Sequence, residues 1–163
     1  MIRITVILFF IISSVQAADV TELRKLYYRA NDSRKVADEF FEVMKGIKNT
    51  SEPILLGYKA MAHLMQAKFQ FNPYSKMSNF TKGKDLLNIA INKDPGNIEL
   101  RFMRFCAQAN APGFLGYKTH INEDKAIVLK KWEKCTDKDL KARIKNYMLT
   151  STYCNIYEAS SFE

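Results

Sequence analysis

Residues 97–117 read NIELRFMRFCAQANAPGFLGY. Through Asn110 the apolar residues recur at the spacing of an α-helix, whereas residues 112–117 contain the helix-ending residues proline and glycine. The pattern predicts a helix over Ile98–Asn110. Its apolar residues fall on two flanks, so we expect neighbours on both sides. One flank comprises Ile98, Phe102, Phe105, Cys106 and Ala109, and the other Leu100, Met103 and Ala107.

Between these flanks lies a narrow polar strip made of Arg101, Arg104 and Gln108. Two interpretations follow from the chemistry of arginine, whose planar fork of donors grips carboxylates or several carbonyls. In the first, the arginines tie the helix to helix C-termini or to acids of the chain itself. In the second, they line a groove and bind the carboxylate or main chain of a partner. The acids considered for internal pairing are Asp85, Glu99 and Asp124.

The segment PGFLGY, residues 112–117, is too apolar for a free loop. We expect it to fold back onto the core, because burial is the simplest explanation for apolar residues in a connection. The alternative is an exposed aromatic contact for a partner. Phe114 and Tyr117 therefore join Arg101, Arg104 and Gln108 as candidate partner-binding residues.

The rest of the chain repeats the helical spacing and has almost no strand signal, which predicts an all-α fold of about seven helices. The other expected helices begin at a capping box of Asp19 and Glu22, after Ser33, near Glu52, near Phe80, at the N-cap Asn122, and at Thr136. The third ends at Phe69, the sixth reaches Lys134 and the seventh continues toward Ile156. Residues 71–79 are expected to form a loop, because Asn72-Pro73 is turn chemistry.

The N-terminus has the pattern of an export signal. Arg3 precedes an apolar run over residues 4–12, and small residues follow at Val15 and Ala17. The run is too short to span a bilayer, which takes about 20 residues. We therefore expect a signal peptide over residues 1–17, a single mature domain over residues 18–163, and a periplasmic or secreted protein.

The formal net charge of +8 does not indicate a nucleic-acid binder, because the basic residues are spread through every segment and interleaved with acids. Solvated helix faces explain this charge pattern. Weak association with an anionic envelope surface remains the alternative.

Catalytic and metal-binding patterns are scarce. The three cysteines are far apart without CxxC spacing, so metal ligation is not expected. Cys135 and Cys154 either form a disulfide in an oxidising compartment or act as small buried side chains. Of the two histidines, His63 is expected to pack on a helix, and His120 sits before the acids of residues 121–124. We predict no catalytic residue and no cofactor, and keep a small envelope enzyme around His120 as the alternative.

One segment carries a resemblance to a known repeat. In GKDLLNIAINKDPGN, residues 83–97, the positions of Gly83, Leu87, Ala90 and Pro95 match the second helix of a tetratricopeptide (TPR) unit. Ala37, Phe41 and Met44, with Tyr28 ahead of them, match more loosely. The chain thus resembles a short TPR-like stack of irregular helical hairpins over residues 20–97.

A second resemblance rests on the export signal together with DPGNIELRFMR and PGFLGY followed by INEDK. These features look like a group of uncharacterised exported proteins of Gram-negative bacteria, and they carry a fold expectation without catalytic residues. TPR-like repeats generally present surfaces to proteins or peptides. The resemblance therefore implies a non-catalytic exported binding or scaffold protein that presents a helical groove to a protein or peptide partner.

Overall fold

The structure, a computed structural model, describes residues 12–48 and 51–162. Within those ranges the chain is all-α and contains no β-strand, which confirms the predicted fold class. One turn of 3-10 helix spans Gly113–Leu115. The α-helices are α1 (Ile12–Ala30), α2 (Arg34–Lys45), α3 (Pro53–Phe69), α4 (Pro73–Lys93), α5 (Ile98–Asn110), α6 (Ile121–Trp132), α7 (Lys138–Thr150) and α8 (Ile156–Ser160).

The chain divides into two compact units, with the boundary inside α4 between Leu86 and Leu87. The first unit is organised around aromatic rings. Phe40 of α2 and Tyr58 of α3 are fully buried, and their ring centroids lie 6.4 Å apart, edge to face. Tyr27 of α1 approaches the same two rings at 6.0 Å and 6.2 Å. Such aromatic pairs add about 0.5–1.5 kcal/mol beyond the burial of their area, so these rings stabilise the packing of α1, α2 and α3.

Gly83 marks a close approach of α4 to α3. A Cβ atom at this position would lie 2.9 Å from the carbonyl oxygen of Ala60 and 2.7 Å from Cγ of Leu64. Real Cβ contacts are essentially never shorter than 3.0 Å. A residue without a side chain is therefore what allows the two helices to pack this closely.

In the second unit, α5 and α6 pack against each other in antiparallel directions. Lys131 at the end of α6 donates to the carbonyl of Gly96, just ahead of α5, whereas Arg104, further along α5, donates to Asp124 in the first turn of α6. Apolar side chains from α5, α6, α7 and the C-terminal segment form the core beside this pair. Its buried members are Phe102, Phe105, Ile121, Val128, Leu140, Ile144, Met148 and Phe162.

The loop expected over residues 71–79 is wrong, because α4 begins at Pro73. The side-chain oxygen of Asn72 accepts hydrogen bonds from the backbone N–H groups of Tyr74 at 2.9 Å and Ser75 at 3.2 Å. Proline suits the first helical position, since its φ angle is already helical and it lacks an N–H group there. The Asn72-Pro73 pair thus starts a helix rather than a turn.

Other helix ends differ from the predicted ones by a few residues. The N-cap of α6 is His120 instead of Asn122, and that of α7 is Asp137 instead of Thr136. Helix α7 ends at Thr150, because Ser151 adopts an extended backbone conformation, so the expected continuation toward Ile156 is wrong. The short α8 follows as a separate helix.

The segment predicted as a signal peptide lies largely outside the described residues. From Ile12 onward, α1 continues past Ala17 without a break. Asp19 therefore lies inside the helix, and its expected capping role is wrong. Both export and the single domain over residues 18–163 stay predictions.

Candidate functional site

The two arginines of the polar strip converge on one buried carboxylate. Arg104 donates from its Nε to Oδ2 of Asp124 at 2.6 Å and from Nη2 to Oδ1 at 2.9 Å. Arg101 donates from Nη1 to the same Oδ1 at 2.9 Å. Asp124 is fully buried, and both arginines are more than nine-tenths buried. Arg101 and Arg104 lie one turn apart on α5, so both reach the start of α6.

The remaining hydrogen bonds of this ionic cluster (Arg101, Arg104, Glu123 and Asp124) also go to the chain itself. Arg101 donates to Glu123 at 2.7 Å and to the carbonyl of Pro95 at 2.9 Å, and Arg104 donates to Asn88 at 3.1 Å. Two cations thus face two carboxylates. The geometry matches the first interpretation of the strip, in which the arginines connect helices internally.

Ionisation follows the same contacts. Burial lowers the pKa of the Arg101 guanidinium, but its bonds to Asp124 and Glu123 outweigh burial, so the pKa lies above the ordinary value. The bond from Arg101, followed by that from His120, holds the pKa of Glu123 below its usual range. These directions keep Arg101 and Glu123 both charged at neutral pH.

The five candidate partner-binding residues have different environments. Arg101 and Arg104 are occupied by the ionic cluster, Gln108 is fully buried, and Tyr117 is 7% exposed. Phe114 alone among the five faces solvent, with 86% of its surface exposed. A 3-10 turn followed by Gly116 at a φ of 60° reverses the chain here. The segment therefore folds back at Tyr117, as expected, but not at Phe114, where that expectation is wrong.

Neither histidine is close to a cysteine in any described contact. His63 on α3 is half-buried, and its Nδ1 lies 2.9 Å from Oδ1 of Asn79, as the packing role predicts. His120 pairs instead with Glu123 at 3.0 Å. The thiols of Cys106, Cys135 and Cys154 are free and partly buried.

Acidification is expected to destabilise the protein through His63. Burial lowers the pKa of His63 below 6.5, with Lys82 and Lys59 acting in the same direction and the bond to Asn79 opposing them. Between the lowered pKa of folded His63 and about pH 6.5, the unfolded chain binds a proton that the folded chain does not. The free energy of unfolding therefore decreases as the pH falls through this range. The melting temperature of His63→Gln should lack the part of the acid-dependent decrease that arises from His63, whereas the melting temperature of His120→Gln should retain it. An unchanged pH slope in His63→Gln would contradict the assignment.

A second feature is exposed rather than buried: the start of α4 presents large apolar side chains to solvent. Phe71 and Tyr74 are each 88% exposed and Met77 is 49% exposed. Tyr74 and Met77 lie one helical turn apart, and Phe71 precedes them across the N-cap. These three residues are here termed the α4 surface, and two of them, Tyr74 and Met77, line a shallow groove. Its lining residues are Pro73, Tyr74, Met77, Ser78, Thr81 and Lys82.

The surroundings of the α4 surface are basic. Residues 69–84 contain Lys76, Lys82 and Lys84 and no Asp or Glu. The guanidinium of Arg34 on α2 lies 5.3 Å from the centroid of the Phe71 ring. Lysine stems add apolar area while their charges stay in water. The surface thus combines apolar contact area with positive charge. The sequence did not predict it, because residues 71–79 were expected to form a loop.

Comparison of the chain with protein-family models, with curated proteins and with solved structures finds no match. Among the residues that the structure describes, no helix has the length and apolar character needed to cross a bilayer. In the same residues, no three His, Cys, Asp or Glu side chains are grouped to hold a metal ion.

Proposed function

We propose that this chain is a non-catalytic binding protein that presents the α4 surface to a protein or peptide partner. The observation that carries the proposal is the 88% exposure of both Phe71 and Tyr74, three residues apart at a capped helix start. Aromatic residues and Met are enriched at the centre of interfaces, and buried aromatic anchors supply most binding energy. An exposed apolar cluster of this kind is typical of an interaction site.

The charge around the α4 surface favours an acidic partner segment. Lys76 and Lys82 are exposed, and residues 69–84 contain no carboxylate; the next acid along α4, Asp85, lies 3.9 Å from Lys84. A peptide with an apolar anchor and flanking Asp or Glu would place its anchor in the groove beside Tyr74 and its carboxylates near these lysines. Complementary charge of this kind raises association rates and helps fix the register.

Two further elements of the proposal rest on the sequence. The signal-like pattern of residues 1–17 supports export to the periplasm or beyond. The small residue at Gly83, at the close approach of α3 and α4, is in keeping with a TPR-like hairpin. We therefore place the partner in an extracytoplasmic compartment.

The test is selection of peptides from a random displayed library on the protein, followed by Kd measurement of the enriched peptides by fluorescence anisotropy. We expect acidic peptides with an aromatic or aliphatic anchor. The variant Phe71→Ser/Tyr74→Ser should weaken them at least about tenfold, since truncating a hot-spot aromatic costs about 2 kcal/mol or more. The matched control Phe114→Ser/Ile156→Ser removes two equally apolar side chains that are 86% and 80% exposed elsewhere, and should leave Kd unchanged.

Three outcomes would contradict the proposal: no enrichment, equal loss in the control variant, or no loss in Phe71→Ser/Tyr74→Ser. Binding to phosphatidylglycerol vesicles that depends on Phe71 and Tyr74, with no peptide selected, would instead assign the α4 surface to an anionic membrane. Salt separates these cases, since surface attraction fades at high ionic strength while docking of an apolar anchor largely persists.

A further inference from the structure

A pocket of about 310 Å³ lies within the second unit, between the end of α6 and the C-terminal segment that contains α8. Its volume is at the lower end of the roughly 300–1,000 Å³ typical of small-ligand sites. The residues that decide its chemistry are three aromatic and two acidic side chains: Trp132, Tyr157, Phe162, Glu133 and Glu158.

The aromatic part of the pocket is held in a defined arrangement. The rings of Trp132 and Phe162 lie 4.8 Å apart with an interplanar angle of 74°. Phe162 is 1% exposed, and the indole Nε1 of Trp132 donates to the carbonyl of Lys141 at 3.2 Å. Tyr157 is 83% exposed, so its ring stands at the mouth of the pocket. The pocket therefore has two packed aromatic rings in its wall and an exposed aromatic ring at its mouth.

The charge of the pocket is opposite to that of the whole chain. The protein has a formal net charge of +8, yet among the described residues that line this pocket only Glu133 and Glu158 are charged. Glu158 is anchored by Lys125 at 3.0 Å and by the backbone N–H of Asn155 at 2.9 Å. Glu133 is exposed and contributes the carboxylate that these bonds do not neutralise. The ligand that complements this lining is a cation.

The structure also contains an internal example of the expected contact. The ammonium of Lys141 lies 4.6 Å from the centroid of the Trp132 ring. Tryptophan is the strongest of the aromatic residues in attracting a cation to its face. An ammonium group thus already uses this indole within the chain.

We propose that the pocket binds a small organic ammonium group, held between the rings of Trp132 and Tyr157 and the carboxylate of Glu133. This site is separate from the α4 surface and does not depend on the function proposed for it. The ammonium chemistry is shared by free quaternary amines and by lysine side chains, so both sources enter the test.

The test uses the fluorescence of Trp132, which is the single tryptophan of the chain. The protein is titrated at constant ionic strength with choline, with its neutral isostere 3,3-dimethylbutan-1-ol, and with Nα-acetyl-lysine amide. We expect saturable binding of choline, and binding of the isostere weaker by about tenfold, as expected for a partly desolvated cation–π contact. Stronger binding of Nα-acetyl-lysine amide than of choline would identify a peptide lysine as the source of the ammonium.

Variants separate the pocket from a general effect of charge. Glu133→Gln and Tyr157→Ala alter exposed side chains and should each weaken choline binding several-fold. Lys141→Met removes the competing ammonium and should strengthen it. Glu42→Gln, an exposed acid on α2, should change nothing. Equal affinity for choline and the isostere, no saturable fluorescence change, or unaltered binding in both weakening variants would overturn the proposal.

Discussion

Replacing Asp124 by alanine is expected to lower the free energy of unfolding by about 3–5 kcal/mol, the cost of breaking a buried ion pair from one side. The carboxylate is fully buried and accepts three hydrogen bonds from Arg101 and Arg104. Its removal leaves two buried guanidinium groups with donors that no remaining carboxylate reaches equally well. At about 2–4 °C per kcal/mol for a chain of this size, the melting temperature should fall by roughly 6–20 °C.

Glu123→Gln is the matched control, since Glu123 is adjacent in sequence and bonds to the same arginine. Its side chain is 50% exposed, and partly solvated pairs contribute about 0–1 kcal/mol. Thermal melts and urea unfolding should therefore show a several-fold larger loss of stability for Asp124→Ala than for Glu123→Gln. Similar small losses in both would show that the ionic cluster does not hold α5 and α6 together.

Gly83→Val is expected to destabilise the packing of α3 and α4 by about 1–3 kcal/mol, the usual cost of overpacking. The new Cβ would meet a backbone oxygen of α3 at 2.9 Å, and backbone cannot turn away as a flexible side chain can. Valine is a better helix former than glycine by only about half a kcal/mol. The steric clash therefore outweighs the gain in helix propensity, and Gly83→Val is expected to lower the free energy of unfolding.

Gly46→Ala tests the same kind of change where space is available. A Cβ there has no neighbour within 4 Å, and the φ of −75° suits any residue. We expect unchanged stability or a gain of about 0.4–1 kcal/mol from the less flexible unfolded chain. Urea unfolding measures the free energy of unfolding of both variants. Amide hydrogen exchange shows whether the loss of stability in Gly83→Val is located in α3. Equal stability of Gly83→Val and the parent chain would contradict the close approach.

Periodicity alone predicts most of the helices, because burial of an apolar stripe is recorded directly in the spacing of residues. For Arg101 and Arg104 the sequence leaves two alternatives: internal pairing with acids of the chain, or binding to a partner. Choosing between them requires knowing that Asp124 faces α5, and this depends on the antiparallel packing of α5 and α6 rather than on any local signal. Asp124 is recognisable in the sequence as a possible partner of the arginines, but its complete burial is a tertiary property.

Two sequence-based predictions are wrong for local physical reasons: the loop over residues 71–79 and the burial of Phe114. Asn72-Pro73 is compatible with a turn and with a helix start, and the backbone donors of Tyr74 and Ser75 decide in favour of the helix. The α4 surface was missed for this reason. The opposite environments of Phe114 and Tyr117 depend on the chain reversal at Gly116, which residue type does not specify.

The shared carboxylate of Asp124 also constrains how this sequence can change over generations. Loss of Asp124 leaves two buried guanidinium groups facing only the half-exposed Glu123, and loss of either arginine removes buried hydrogen bonds to Asp124. Replacing such a group entirely by apolar residues of similar size is, in contrast, often neutral or stabilising. Single substitutions at these positions should therefore be purged by selection, and viable change should be concerted. Divergent descendants of this chain are expected either to keep the three residues together or to have exchanged all of them for apolar ones.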